Sequence, residues 1–344
     1  MCPRTKLKIL VILILLILAV TNYLHLQRGT LLQDNVQIRD IMIQIQVERF
    51  CQKYNLTKES NYGHRAPEER FLRQILVNQD SKVLYCFAPK VGCTHLKIAF
   101  LQSQGLLKNW SPNVYQQTRT DPVFISTVFS TALKALSFKE RNKALNDYYK
   151  FIMYRNPLER LVSAYRDKVH KYPLKGFKRN TPHYNWIKKE IYQHTHPQEY
   201  KQWYAAGGQK EVAISFFDFV TYWLDTGARE DKHFLPIFDL CSPCAIRYDY
   251  YGNFKSFNRD AKVLLDKIHG NSSLLLRGYY EGKNGTDTAT FQKEVYAQLT
   301  KKQKVCVLQK LSQDIDFYYH LFPEEGDSHK RILNISNELG VPHE

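Results

Sequence analysis

Val83-Leu-Tyr-Cys-Phe-Ala-Pro-Lys-Val-Gly-Cys-Thr-His-Leu-Lys97 opens on an apolar run, breaks at Pro89 and Gly92, and then takes on helical spacing. An apolar run this short, bounded by polar Ser81-Lys82 and by Pro89, reads as a buried strand. Thr94 to Gln104 reads as the helix that follows it, with Leu96, Ala99, Phe100 and Leu101 on one side. The pattern then recurs. Phe138 to Asp147 reads as a helix, Tyr148-Tyr-Lys-Phe-Ile-Met-Tyr154 as a second buried strand, and Pro157 to Val169 as a helix with proline in its first turn. Strand–loop–helix occurring twice predicts an α/β fold, a single domain with a mainly parallel sheet. Further helical patterns fall at Arg70–Asn78, Val212–Leu224, Ser256–Ile268, Thr288–Leu299 and Val305–Leu321, while Val36–Phe50 fits helix or strand equally.

Both loops have the chemistry to hold an anion. Pro89-Lys-Val-Gly-Cys-Thr-His95 sits before a helix N-terminus, where unpaired N–H groups and the helix dipole concentrate positive potential. Gly92 permits close backbone approach, Lys90 adds a point charge and Thr94 a hydroxyl, so the loop can cradle phosphate or sulfate. It lacks the GxxxxGK[ST] order of a Walker loop. In Arg155-Asn-Pro-Leu-Glu-Arg-Leu-Val-Ser-Ala-Tyr-Arg-Asp-Lys168, Arg155 ends a strand and can meet an anion bidentately, and Ser163 lies two helical turns further on. The bland alternatives are an ordinary turn with a surface lysine, an Arg155–Glu159 surface salt bridge and a serine that merely packs.

Charge and compartment bound the partner. The 344 residues carry 49 Lys+Arg against 33 Asp+Glu, a net +16, which favours a polyanionic partner without saying which one. Ile9 to Gln27 holds no charged residue and can span ~30 Å as a helix. Arg4, Lys6 and Lys8 precede it, so the positive-inside tendency puts the C-terminal body across the membrane. This predicts a cytoplasmic tail (1–8), an uncleaved anchor (9–27) in preference to a cleaved signal, a luminal stem (28–75) and a luminal domain (76–344). Asn55, Asn109, Asn271, Asn284 and Asn334 all begin Asn-x-Ser/Thr sequons beyond the anchor. Cys51, Cys86, Cys93, Cys241, Cys244 and Cys306 also lie there, enough for three disulfides in any of several pairings. Nucleic acid is thereby disfavoured as a partner. Cys241-x-x-Cys244 has no second half to complete a zinc set, so disulfides to other cysteines are the expectation.

Together the two loops resemble the 5′-phosphosulfate and 3′-phosphate elements of sulfotransferases that use 3′-phosphoadenosine 5′-phosphosulfate (PAPS). The chain is more narrowly similar to the Golgi carbohydrate sulfotransferases, which include the chondroitin, dermatan and N-acetylgalactosamine 4-O-sulfotransferases. The likeness continues through Phe216–Asp225, Cys241–Asp249 with Gly252–Phe257, and Asp316–Phe322. Where that family commonly has Asn-Trp after the first loop, this chain has His95-Leu96.

The resemblance implies PAPS as sulfuryl donor, no metal, a type II Golgi membrane protein and a glycan acceptor, most closely galactosamine in chondroitin or dermatan. It implies that Pro89, Lys90, Val91, Gly92, Cys93, Thr94, His95, Arg155 and Ser163 bind the donor, with Lys90 also stabilising the leaving oxygen. His233 stands where the family carries a histidine before its CxPC block, and an imidazole suits removal of the acceptor hydroxyl's proton. Glu159 and His95 are the alternative bases. Lys171 to Lys210 interleaves basic residues with aromatic ones, a texture that suits an anionic glycan or a plain solvated face. Two other functions compete: a luminal ATP-dependent kinase, and a membrane-anchored, non-catalytic binder of anionic glycans.

Overall fold

The computed structural model describes residues 41–56, 72–107, 122–171, 173–175, 185–227, 231–269 and 288–325. In it β1 (Ile75–Asn78), β2 (Val83–Cys86), β3 (Tyr149–Tyr154) and β4 (Tyr250–Asn253) form one sheet in that order. β2 runs parallel to β3, with Val83 opposite Tyr149 and Cys86 opposite Ile152. β3 runs parallel to β4. Parallel neighbours need long crossovers, and here helices supply them. α1 (41–53) precedes the sheet. α2 (Cys93–Gln102), α3 (Pro122–Ser130) and α4 (Phe138–Asp147) join β2 to β3. α5 (Pro157–Tyr165), α6 (Asn185–Thr195), α7 (Pro197–Ala205), α8 (Phe216–Thr226) and α9 (Ile237–Cys241) join β3 to β4, and α10 (Phe257–Lys267), α11 (Thr288–Ala297) and α12 (Lys301–Leu321) follow. Ser137, Ser215 and Thr300 close capping boxes on α4, α8 and α12, which explains where those helices begin.

The sheet is mainly parallel, as expected, but mixed: two of its three pairings are parallel, and β1 is antiparallel to β2. Its residues fall where Arg70–Asn78 suggested a helix. All four are buried, and an apolar run this short does not distinguish helix from strand; the open edge of β2 decides it. The hairpin turns through Lys82 at φ 53°, with the Ser81 N–H donating to Asn78 Oδ1 at 3.0 Å. Two further differences bear on the site. The helix expected over Pro157–Val169 ends at Tyr165 and continues as a π turn, Arg166–His170. β4 carries no apolar run to announce it: Gly252 serves there because a Cβ would come within 2.9 Å of the Met153 sulfur.

Two apolar cores fill the domain. One gathers the sheet with α1, α2, α10 and the last turns of α12; the other gathers α5, α6, α8, α11 and the middle of α12. α1 is helical and buries Ile43, Val47, Phe50 and Cys51 in the first core, so part of the segment expected as stem packs on the domain. Disulfides Cys51–Cys244 and Cys86–Cys241 tie α1 and β2 to the two halves of the CxxC, at Cα separations of 5.6 and 6.0 Å. Cys93 and Cys306 are unbridged and half-buried. Among the described residues no helix is long and apolar enough to cross a membrane, and the expected span, 9–27, lies outside them. The loop after β2 leads into the first core and the loop after β3 into the second, so the carboxyl ends of these strands stand where the cores adjoin.

Candidate functional site

The carboxyl ends of parallel strands are where α/β proteins assemble their sites. Both loops singled out in the sequence stand there, side by side. The first turns through two left-handed residues, Lys90 at φ 71° and Gly92 at φ 77°, before α2 starts at Cys93. No side chain caps α2 and no acid stands in its first turn, so its N-terminus carries no built-in anion. Val91 is buried, whereas Cys93 and Thr94 are half-buried. Gly92 is held against Phe257, and a Cβ there would lie 2.4 Å from its ring. Gly92→Ala therefore has to displace that ring and strain a left-handed residue. We expect a loss of about 1–3 kcal/mol from the overpacking alone, read as a lowered denaturation midpoint.

The second loop begins at Arg155. Asn156 accepts from the N–H groups of Leu158 and Glu159 at 3.1 and 3.3 Å, and Pro157 occupies the first helical position, so α5 starts abruptly. Arg155 is buried and donates from Nη1 to the Lys90 carbonyl at 3.2 Å. Its guanidinium lies 4.6 Å from the Phe254 ring centroid and 3.4 Å from the Glu159 carboxylate. The Arg155–Glu159 pair is thus real, yet the same guanidinium also joins the two loops. Ser163 sits half-buried on α5, and the structure shows no contact between its hydroxyl and Lys90 or Arg155.

Four residues of the site were not singled out from the sequence: Arg160, Asp167, Lys168 and Asp231. Arg160 is buried on α5 and donates to the carbonyls of Pro89 (3.4 Å), His233 (3.5 Å) and Leu235. One guanidinium therefore holds the first loop and the 231–235 segment in register. Asp314 on α12 supplies compensating charge while accepting from the N–H groups of Ile237 and Phe238 at 2.9 and 2.8 Å. Arg160→Met would strip donors from three carbonyls and leave Asp314 without its counter-charge. The expected cost is about 3–5 kcal/mol, visible as a much lower unfolding temperature that Arg160→Lys recovers only in part. The π turn presents the next two residues: Asp167 pairs with Lys90 at 3.1 Å and with Lys168 at 3.2 Å. A regular continuation of α5 would aim these side chains elsewhere, which is why helical periodicity does not reveal them.

His233 completes the cluster. Its Nδ1 lies 2.5 Å from Asp231 Oδ1, which also accepts the His233 N–H at 2.8 Å. The carboxylate fixes Nδ1 as the donor and leaves Nε2 as the proton acceptor. Burial, opposed by Asp231 and helped by the positive charges of Lys168 and Lys90, pushes the imidazole down to about 4. His233 is thus neutral at physiological pH and lies within the field of both lysines. The alternative bases fare differently. His95 is buried in α2, where burial pushes it to about 4, and Glu159 is occupied with Arg155. Of the aromatic residues in Lys171–Lys210, Tyr192, Tyr200, Trp203 and Tyr204 cluster on α6 and α7, with ring centroids about 6 Å apart. Tyr172, Phe177 and Tyr184 lie outside the described residues.

The arrangement gathers cations beside a helix N-terminus that no side chain caps, and each acid there has a partner: Asp167 is shared between two lysines, Glu159 pairs with Arg155 and Asp231 with His233. That fits a donor carrying phosphate and sulfate. A neutral, carboxylate-oriented imidazole beside it can take a proton.

The sequence matches the sulfotransferase family over residues 73–320. It is 32% identical over 203 residues to carbohydrate sulfotransferase 14 of Danio rerio, covering 57% of this chain and 48% of that protein. To carbohydrate sulfotransferase 8 of Mus musculus it is 29% identical over 282 residues, 78% of this chain and 59% of the relative. To carbohydrate sulfotransferase 11 of Danio rerio it is 27% identical over 221 residues, 63% and 58% respectively. The chain spans about half the length of the curated relatives it matches. No solved structure matches it.

Proposed function

Since the chain belongs to the sulfotransferase family, we propose that it transfers a sulfuryl group from PAPS to a hydroxyl of a glycan, the 4-position of N-acetylgalactosamine in chondroitin or dermatan being the acceptor to test first. The observation that carries this reading is the joining of Lys90 to Arg155 beside an uncapped helix N-terminus, with the Asp231–His233 pair alongside. Lys90, the N–H groups at the start of α2 and Thr94 would hold the 5′-phosphosulfate; Arg155 and Ser163 would hold the 3′-phosphate. The bound donor supplies the sulfuryl group, whose bond to the phosphate oxygen breaks as the acceptor oxygen bonds to sulfur. Lys90 stabilises the charge that grows on the departing oxygen, as expected for a loose transition state governed by positioning and charge. His233 Nε2 receives the acceptor hydroxyl's proton, and Asp231 stabilises the imidazolium so formed.

The same reading makes residues 9–27 a membrane anchor and the domain luminal, in the Golgi. Two disulfides support an oxidising compartment. The test is ³⁵S transfer from labelled PAPS by the full-length protein onto desulfated chondroitin, dermatan, heparan and neutral galactosaminides, with labelled ATP and Mg²⁺ in parallel. Label from PAPS on a galactosamine-containing acceptor is the expected result. Label from ATP alone, or failure to bind adenosine 3′,5′-bisphosphate, overturns the reading.

A further inference from the structure

Beside the first loop stands a second pair of cations, from two different elements, that the reaction described above does not use. Lys97, on α2, places its ammonium 4.8 Å from the Phe87 ring centroid and 5.4 Å from that of Phe124 on α3. Lys232, adjacent to His233, places its own 5.2 Å from the same Phe87 ring. Phe87 is buried and both lysines are half-buried. Neither has an acid within ion-pair distance among the described residues. Asp231 acts on Lys232 electrostatically, yet its carboxylate is bound by His233. Two like charges brought to one ring repel each other, and the ring's cation–π attraction offsets this only in part. An anion between them removes the repulsion.

We propose that Lys97 and Lys232 form a subsite for an anionic substituent, a carboxylate or sulfate ester, carried by the acceptor glycan beside the hydroxyl that is sulfated. The inference rests on the sulfuryl-transfer reading given above and adds to it the charge of the acceptor. Two observations favour the acceptor over the donor as the source of the anion, although Cys93 of the first loop also acts on Lys232. The recorded ring contacts of the pair are with Phe87 and Phe124, whereas the donor-side Arg155 stacks on Phe254 and binds the Lys90 carbonyl. Lys232 also adjoins the histidine that has to meet the acceptor hydroxyl. Burial and Lys97 push the Lys232 ammonium down to about 8, so an anion bound there also completes its protonation.

The test compares the full-length protein with Lys97→Met and Lys232→Met, which keep an unbranched apolar stem against Phe87. Acceptors are a desulfated chondroitin oligosaccharide, its carboxyl-reduced form and a carboxyl-reduced form bearing sulfate esters, the last separating the two sources of negative charge. Transfer kinetics, direct binding of each oligosaccharide and binding of adenosine 3′,5′-bisphosphate are measured. Each substitution is expected to weaken charged oligosaccharides about tenfold more than the uncharged form, as loss of one charge-assisted contact does, mainly in KM. Equal losses on all three would mean that the lysines only pack, and a loss confined to the bisphosphate would assign the anion to the donor. Either result, or no loss at all, overturns the proposal. If the unaltered protein neither transfers sulfate nor binds the bisphosphate, the sulfuryl-transfer reading falls. The oligosaccharide binding then still decides the subsite: a lysine-dependent preference for charged forms upholds it, and the lack of one overturns it.

Discussion

Lys90→Met is expected to lower sulfuryl transfer by about 10²–10³-fold in kcat, the loss typical of removing a donor aimed at developing charge, while the protein still folds. The structure explains why the two effects separate. The Lys90 backbone carbonyl, not its side chain, receives Arg155, so the link between the loops survives the substitution. The left-handed φ of 71° is already occupied by a residue with a Cβ, and methionine brings no new strain there. Asp167 loses one partner but keeps Lys168 at 3.2 Å, so no buried carboxylate is left uncompensated. Single-turnover kinetics with labelled PAPS and a thermal melt of the same preparation check both halves. Near-normal turnover would remove Lys90 from the mechanism.

His233→Asn is expected to lower kcat by about 10²–10⁴-fold, the usual worth of a positioned base, with binding of adenosine 3′,5′-bisphosphate retained. The pH profile is the sharper readout. The active form is the neutral imidazole, so the rate falls as pH drops through its pKa and gains nothing from this group as pH rises above it. Burial first, then Lys168 and Lys90, hold that pKa at about 4, against the opposing pull of Asp231. The acid limb of kcat/KM for the acceptor, measured without saturating donor, should therefore lie well below the ordinary histidine range. Negative charge from bound donor near Lys90 offsets the lysines' effect, so the limb in kcat with saturating donor should lie higher. Both limbs should be missing in His233→Asn. An acid limb unchanged by the substitution would assign the base elsewhere.

Much of this molecule can be read along the chain. Phe138–Asp147 is a helix with the expected bounds, because Ser137 and Glu140 close a capping box at its start. The strands after Ser81 and Asp147 are where short apolar runs placed them, and both loops stand at their carboxyl ends. Where a signal was short or ambiguous, the reading erred in ways that physical chemistry explains. Ile75–Asn78 pairs with β2 because that strand had an open edge. Tyr250–Asn253 is a strand with a glycine and an asparagine in it, recognisable only from the neighbour that Gly252 lets approach. The segment after Tyr165 departs from α-helical geometry, and Asp167 and Lys168 enter the site through that departure.

The sequence by itself determined the alternation of strands and helices, the two loops with the chemistry to hold an anion, and the resemblance from which the roles proposed for Lys90, Arg155 and His233 come. Those features are local: spacing, capping, proline and glycine placement act within a few residues of chain. Only the tertiary structure decided which cysteines pair, that Arg160 holds three carbonyls from two segments, that Asp231 orients His233, and that Lys97 and Lys232 share one aromatic ring. These depend on groups brought together from distant parts of the chain in a low-dielectric interior. Burial there sets the energy of each charge, and no pattern along the chain encodes burial residue by residue.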